Sequence, residues 1–212
     1  MRRPATFAMT ILSLSAAGAL GAEAPKLEPH RAAVGRGETG VVDVRAYAER
    51  RKPEGPDIPV KEMVVALVPS SDALIAEIEQ VRSSSRDSLD AYLTAALRIR
   101  RILEAYVKSL TEADGADLMR SGKARADGWL SFREVAAGQW LVLSGHETTA
   151  AVTPRKRKGG DKDRFALSPR LVGYRWASLW VIPVTVTSGV GTTVELTDRN
   201  VWFTGVIEDT AR

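Results

Sequence analysis

The chain has 212 residues, a formal net charge of +4, a 44% apolar share and no cysteine. Those values exclude disulfide cross-linking, thiolate metal centres and attachment through a lipidated cysteine. They describe a chain able to bury a core rather than a disordered one. The length suits one elaborated domain or two small ones. Aromatic residues make up only 6%, yet five are Trp, and Trp140, Trp176, Trp180 and Trp202 lie after residue 130.

The first two dozen residues read as a secretory signal. Arg2 and Arg3 form a basic start, residues 5–20 are apolar and small, and Gly18, Ala19, Gly21, Ala22 and Ala24 supply small residues for cleavage. The run is too short and too rich in Ser and Thr for a comfortable membrane span, although an uncleaved N-terminal anchor stays open. Cleavage after Gly21, Ala22 or Ala24 would release a protein of the bacterial periplasm or a secreted one, with residues 1–22 as signal peptide. Arg2 and Arg3 supply two units of the net charge, so the remainder is only slightly basic, a weak pointer to an acidic partner.

Residues 23–39, with Pro25, Pro29, Gly35 and Gly37, read as a flexible leader. In residues 40–48, Val42, Val44 and Ala46 alternate with Asp43, Arg45 and Tyr47, the pattern of a half-buried strand. Residues 49–59 form a loop with three Pro, and residues 60–68 a second strand that Pro69 ends. From 71 to 113 the chain has neither Pro nor Gly. Ser71 or Asp72 can cap a helix carrying Ile75, Ile78 and Val81. Tyr92, Ala96, Ile99, Leu103, Tyr106 and Leu110 then mark a strongly amphipathic helix, with Asp87 as cap and Gly115 as stop. A break near residues 83–86 makes two helices, with one long helix as the alternative.

Residues 122–147 read as a β-meander. Asp127-Gly128 turns into a strand with Leu130 and Phe132, and Ala136-Ala137-Gly138 turns into another with Trp140 and Val142. Residues 146–152 continue as strand or strand edge, and 154–163 form a charged loop. Residues 171–187 make one long strand or two short ones, with Pro183 at a bulge or an edge. Two more strands, 192–196 and 200–207, close the chain.

The strand with Met63, Val65 and Leu67, the run Asp127-Gly128, Leu130, Phe132, Gly138, Trp140 and Val142, and Gly191-Thr192-Thr193 before Val194 and Leu196 together resemble the carboxypeptidase regulatory-like domains, over roughly residues 40–69 and 120–196. That resemblance implies a mainly β fold, a single prealbumin-like or Ig-like β-sandwich spanning 40–212 with a helical insertion at about 72–118 between early strands. It also implies a non-catalytic module without cofactor. The partner expected is a protein or a cell-wall polysaccharide of the envelope. A hydrolase of unrecognised type and a purely structural surface component are the competing readings. The helical insert either packs on one sheet or docks a partner.

Candidate chemistry is sparse. His30 and His146 are the only histidines, too few for a zinc site without scattered carboxylates. Ser144, His146 and Asp127 share the meander, but no nucleophile elbow accompanies them, and no catalytic residue is assigned. Arg155, Lys156, Arg157 and Lys158, with Lys162 and Arg164, form the densest charge cluster. It reads either as a solvated loop or as a contact for an anionic glycan or headgroup. No aromatic is interleaved with it, and an exported protein is a poor candidate for nucleic acid. These six residues and His146 are the binding candidates.

Overall fold

The computed structural model describes residues 26–49, 57–150 and 170–211; residues 1–22, expected to be a signal peptide, and the basic cluster of residues 155–164 lie outside them. The fold is mainly β, two sheets packed face to face, with a helical layer on one of them.

The first sheet is built on β1 (Thr39–Ala48), which pairs antiparallel with β5 (Trp129–Ala136) and, near its end, with the short β2 (Ile58–Pro59). Along its other edge runs β8 (Gly191–Leu196), parallel to it. Alternation in β1 holds from Val41 to Ala46: Val42, Val44 and Ala46 are buried beneath the second sheet, while Asp43 and Arg45 stay half-exposed, and Tyr47 is buried as well. The second sheet has the order β4 (Arg120–Lys123), β3 (Val64–Pro69), β6 (Gly138–Ala150), β7 (Arg170–Val186), β9 (Phe203–Ala211). It is buried on both faces near its middle, where Trp140, Leu141 and Val142 are successive buried residues.

The helical layer explains that double burial. Helices α2 (Asp72–Ser84) and α3 (Leu89–Glu112) confirm the two-helix reading. Their caps are Ser71, whose Oγ accepts from the Leu74 N–H at 3.3 Å, and Ser88, one residue beyond the expected Asp87, whose Oγ accepts from the Ala91 N–H at 3.1 Å. Between them the Ser84 and Ser85 hydroxyls donate back to the Val81 and Arg82 carbonyls. The stop is a left-handed turn at Asp114 (φ 59°) rather than at Gly115. The insert packs on the sheet: a Cβ on Gly205 would sit 3.0 Å from Ala96 Cβ, and the Tyr106 hydroxyl donates to the Pro69 carbonyl at 2.8 Å. Glu147 on β6 joins Arg100 of α3 and Arg175 of β7 in a cross-layer ion cluster.

Burial pushes the Tyr106 phenol up to about 12, from 10. The neutral phenol is therefore favoured by the fold. Its contribution is complete below pH 10 and is lost as pH rises through 12, because the unfolded chain ionises first. The urea midpoint of the wild type should fall more steeply between pH 10 and 12 than that of Tyr106→Phe. Equal slopes would contradict this.

The fold differs from the sequence reading elsewhere too: β2 lies within the expected loop 49–59, and the last strand is β9 at Phe203–Ala211 against the expected 200–207. Residues 28–35, placed in the flexible leader, form helix α1 (Glu28–Gly35), anchored by buried Leu27, His30 and Ala33. The proline that suggested a loop is Pro29, at the first turn of that helix, where its missing N–H costs nothing. The second strand begins at Val64 and not at residue 60, because the chain turns at residues 61–62 with Glu62 at φ 61°. The edge strand β4, polar throughout, carried no hydrophobic signal.

The meander turns behave as their residues demand. Gly128 has φ 80°, and a Cβ there would lie 2.4 Å from the Ala46 carbonyl oxygen. Gly138 has φ 145°, and its missing Cβ admits the His30 ring, whose Nε2 would be 3.0 Å away. Pro183 lies in unbroken register with Leu141, beyond the last β7–β9 pair at Leu179. It sits where β7 has no ladder on its β9 side, so the edge reading holds and the bulge does not.

Candidate functional site: an overhanging sheet face

β7 is 17 residues long and β6 is 13, against six in β8 and ten in β1. The long strands must overhang. Trp180 marks where the sandwich stops. Its indole N–H donates to the Thr197 carbonyl at 2.8 Å and lies 3.2 Å from Asn200 Oδ1, both just past β8. Trp180 therefore faces the first sheet. Beyond it, β6 and β7 stay paired from Ser144–Trp180 to Ala150–Tyr174, and β9 follows β7 outward. β1 has ended at Ala48 and β8 at Leu196.

Alternation then assigns the faces. Glu147, Arg175, Ala177, Gly205 and Ile207 turn toward the helices. His146, Thr148, Tyr174, Trp176, Ser178 and Thr204 share the face of Trp180, with no strand of the first sheet opposite them among the described residues. Trp176 is 43% exposed, the one aromatic among the exposed large apolar side chains of the described residues. Tyr174 meets it edge to face, with ring centroids 5.9 Å apart at 85°. Its cross-strand partners are Thr148 and Val206. The result is a shelf: an aromatic pair set among hydroxyls and one imidazole, on a rigid three-stranded ribbon. Such rings are amphipathic platforms, apolar on the face and ready to accept flat C–H surfaces.

His146 is thus placed on this shelf, exposed and opposite Ser178. The other six binding candidates, Arg155, Lys156, Arg157, Lys158, Lys162 and Arg164, lie outside the described residues, in the segment joining β6 to β7. The Ser144–His146–Asp127 grouping is not assembled. Ser144 Oγ donates to the Val64 carbonyl at 2.7 Å. Asp127 sits in the turn before β5, in the other sheet, where Arg125 and the Trp129 N–H hold its carboxyl below its ordinary range. A hydroxyl spent on a backbone carbonyl, and a carboxylate on the wrong sheet, deny His146 the nucleophile and orienting group this grouping would have supplied. Among the described residues no cluster of His, Asp and Glu has the makings of a metal site, and no helix is long and apolar enough to cross a membrane. A shallow polar depression lined by Glu79, Arg82, Ser83 and Arg86 is occupied by structural contacts: Arg82 bonds Glu79 and the Trp202 carbonyl and stacks 5.0 Å above the Trp202 ring.

Tyr174 and Trp176 are the site residues that sequence reasoning missed. Residues 171–187 are rich in β-branched and aromatic residues, and nothing in that pattern separates Tyr174 and Trp176 from the buried Trp180. The usable signal was length, since a strand of this size exceeds the ordinary 3–10 residues and cannot be covered by partners of six or ten.

No protein-family model matches the chain, and no curated protein sequence matches it. Among solved structures, it is similar to a Pseudomonas aeruginosa protein provisionally described as carbohydrate-binding, at 15% identity and a TM-score of 0.43, over 76% of this chain and 88% of that one. It is also similar to the minor pilin GBS52 of Streptococcus agalactiae, at 9% identity and a TM-score of 0.30, over 76% of this chain and 44% of that one. A third is the fimbrial protein FimP of Actinomyces oris, at 12% identity and a TM-score of 0.30, over 74% and 29%. The chain spans less than half the length of either pilus protein.

Proposed function

We propose that the protein is an exported, non-catalytic binding module of the bacterial envelope that holds a cell-wall polysaccharide against the Trp176 shelf. The observation that carries this reading is the exposed Trp176–Tyr174 pair on a sheet face left uncovered by the sandwich. A pyranose ring offers a flat C–H face to such a platform, and Thr148, Ser178, Thr204 and His146 offer hydrogen-bonding groups around it. The secretory pattern of residues 1–22 and the resemblance to carboxypeptidase regulatory-like domains, which accompany enzymes and surface proteins without catalysing anything, point the same way.

The test is co-sedimentation of the purified protein with insoluble cell-wall polysaccharide. Trp176→Ala should weaken binding at least about tenfold, equivalent to 1.4 kcal/mol, and Tyr174→Ala by less. Binding by Trp176→Ala equal to that of the wild type would refute the shelf as the contact.

A further inference from the structure

We infer that the outer face of the four-stranded sheet is a second saccharide site, one suited to uncharged glycans. It extends the binding role proposed above and rests on that reading for the ligand's general class.

The side chains of this face form two rows across three strands. Arg45 on β1 is paired with Trp129 on β5 and Glu195 on β8. One step along, Asp43 is paired with Ser131 and Thr193. In the first row the Arg45 guanidinium sits 4.2 Å over the Tyr47 ring and 6.0 Å from that of Trp129, and it bridges Asp57 at 3.2 Å and Glu195 at 3.5 Å. The Tyr47 hydroxyl donates to Glu195 at 2.9 Å, and that carboxylate raises the phenol's pKa. Each partner of Arg45 is thus fixed, and the half-exposed Trp129 ring is held beside a locked guanidinium. In the second row the half-buried Asp43 carboxylate carries no hydrogen bond or ion pair among the described residues, with an exposed hydroxyl on either side.

A rigid aromatic ring, an uncommitted carboxylate and two hydroxyls, all on one flat sheet face, are what a polyhydroxylated ring engages: C–H groups on the indole, hydroxyls donating to the carboxylate. The charges define the class further. Asp43, Asp57 and Glu195 outnumber Arg45 and Arg133 on this face, and Arg45 is already neutralised by two of them. A uronate or phosphate polymer would meet uncompensated Asp43 and be repelled. The site also lies at the same end of the sandwich as the shelf. Arg45, Tyr47 and Glu195 belong to the C-terminal parts of β1 and β8, the end at which Trp180 meets Thr197. Both surfaces face the same side of the second sheet, so one extended chain can contact both.

The experiment is isothermal titration of the full mature chain with cellohexaose, chitohexaose and polygalacturonate. The variants are Trp129→Ala, Trp129→Phe, Asp43→Asn and Trp176→Ala, each checked for native near-ultraviolet circular dichroism. The wild type should bind one or both neutral hexaoses and not polygalacturonate. Trp129→Ala should weaken hexaose binding about tenfold and Asp43→Asn several-fold, while Trp129→Phe, which keeps a ring, should retain most of it. If Trp176→Ala weakens binding while Trp129→Ala and Asp43→Asn match the wild type, the second site is overturned and the shelf stands. Loss in Trp129→Ala alone would sustain the second site and remove the shelf. Binding of polygalacturonate in preference to the hexaoses, or of no probe at all, would overturn the inference outright.

Discussion

Trp140→Ala should lower unfolding stability by about 3–5 kcal/mol, a large part of what an ordinary domain possesses. The side chain is 1% exposed and belongs to the central strand of the larger sheet. Three separate losses combine in the variant. The transfer and cavity terms come with removal of the largest fully buried side chain. The indole N–H no longer satisfies the buried Ala136 carbonyl, which it reaches at 2.8 Å. The His30 ring loses the face it meets at 4.8 Å and 81°. His30 is itself buried and bonded through Nε2 to the Gln139 carbonyl at 3.0 Å, so α1 is tied to the sandwich through this same ring. Urea denaturation should show the loss in the midpoint, and hydrogen exchange should show α1 opening first. His30→Ala and Trp140→Ala should be non-additive by about 0.5–1.5 kcal/mol, the usual coupling of an aromatic pair. A Trp140→Ala variant within 1 kcal/mol of the wild type would mean that this ring is not the keystone its burial implies.

The meander was legible because its residues answer local demands. Gly128 and Gly138 are positions where only a missing Cβ suits the backbone, and Leu130, Phe132, Trp140 and Val142 keep a strict period of two. The helical insert was legible for the same reason, through 43 residues without Pro or Gly and a clear change of period. What escaped notice depends on partners remote in sequence. Helix α1 is short, and what holds it is tertiary: Leu27, His30 and Ala33 are buried, Leu27 beside Gly115 and His30 bonded to the Gln139 carbonyl 109 positions away. The strand β4 has no apolar face of its own and exists because β3 offers it a ladder. The shelf was hidden by the same limit. Trp176 and Trp180 are four residues apart, alternate identically and look alike in the sequence. They differ only in whether β8 reaches far enough to cover them, which is a property of another strand's length. The Trp129–Arg45–Glu195 row likewise appears only once the parallel pairing of β1 with β8 is known.

Excision of residues 72–118 with a short linker should abolish cooperative unfolding rather than release a folded sandwich. Leu74, Ile78, Val81, Ala95, Ala96, Ile99, Tyr106 and Leu110 are buried in one continuous core with the sheet beneath them. The sheet residues turned toward them, Val68, Leu141, Leu143, Ala177, Phe203 and Ile207, are all below 9% exposure. Without the helices these side chains would form an uninterrupted apolar face, larger than soluble monomers ordinarily tolerate. The excised protein should bind anilinonaphthalene sulfonate, aggregate, and show no sharp thermal transition. A defective linker could produce the same phenotype, so point variants separate the causes. Ile78→Ala and Ile99→Ala, each at a fully buried position, should cost about 2–5 kcal/mol. Leu89→Ala, at a position 74% exposed, should stay within about 0.5 kcal/mol of the wild type. An excised chain that melts sharply with native near-ultraviolet circular dichroism, together with mild Ile78 and Ile99 variants, would show that the sandwich stands alone and would return the helices to the role of a partner-docking element. The opposite result makes the insert a third layer of the core, which fixes the rigid underside of the shelf and leaves its aromatic face as the surface free to bind.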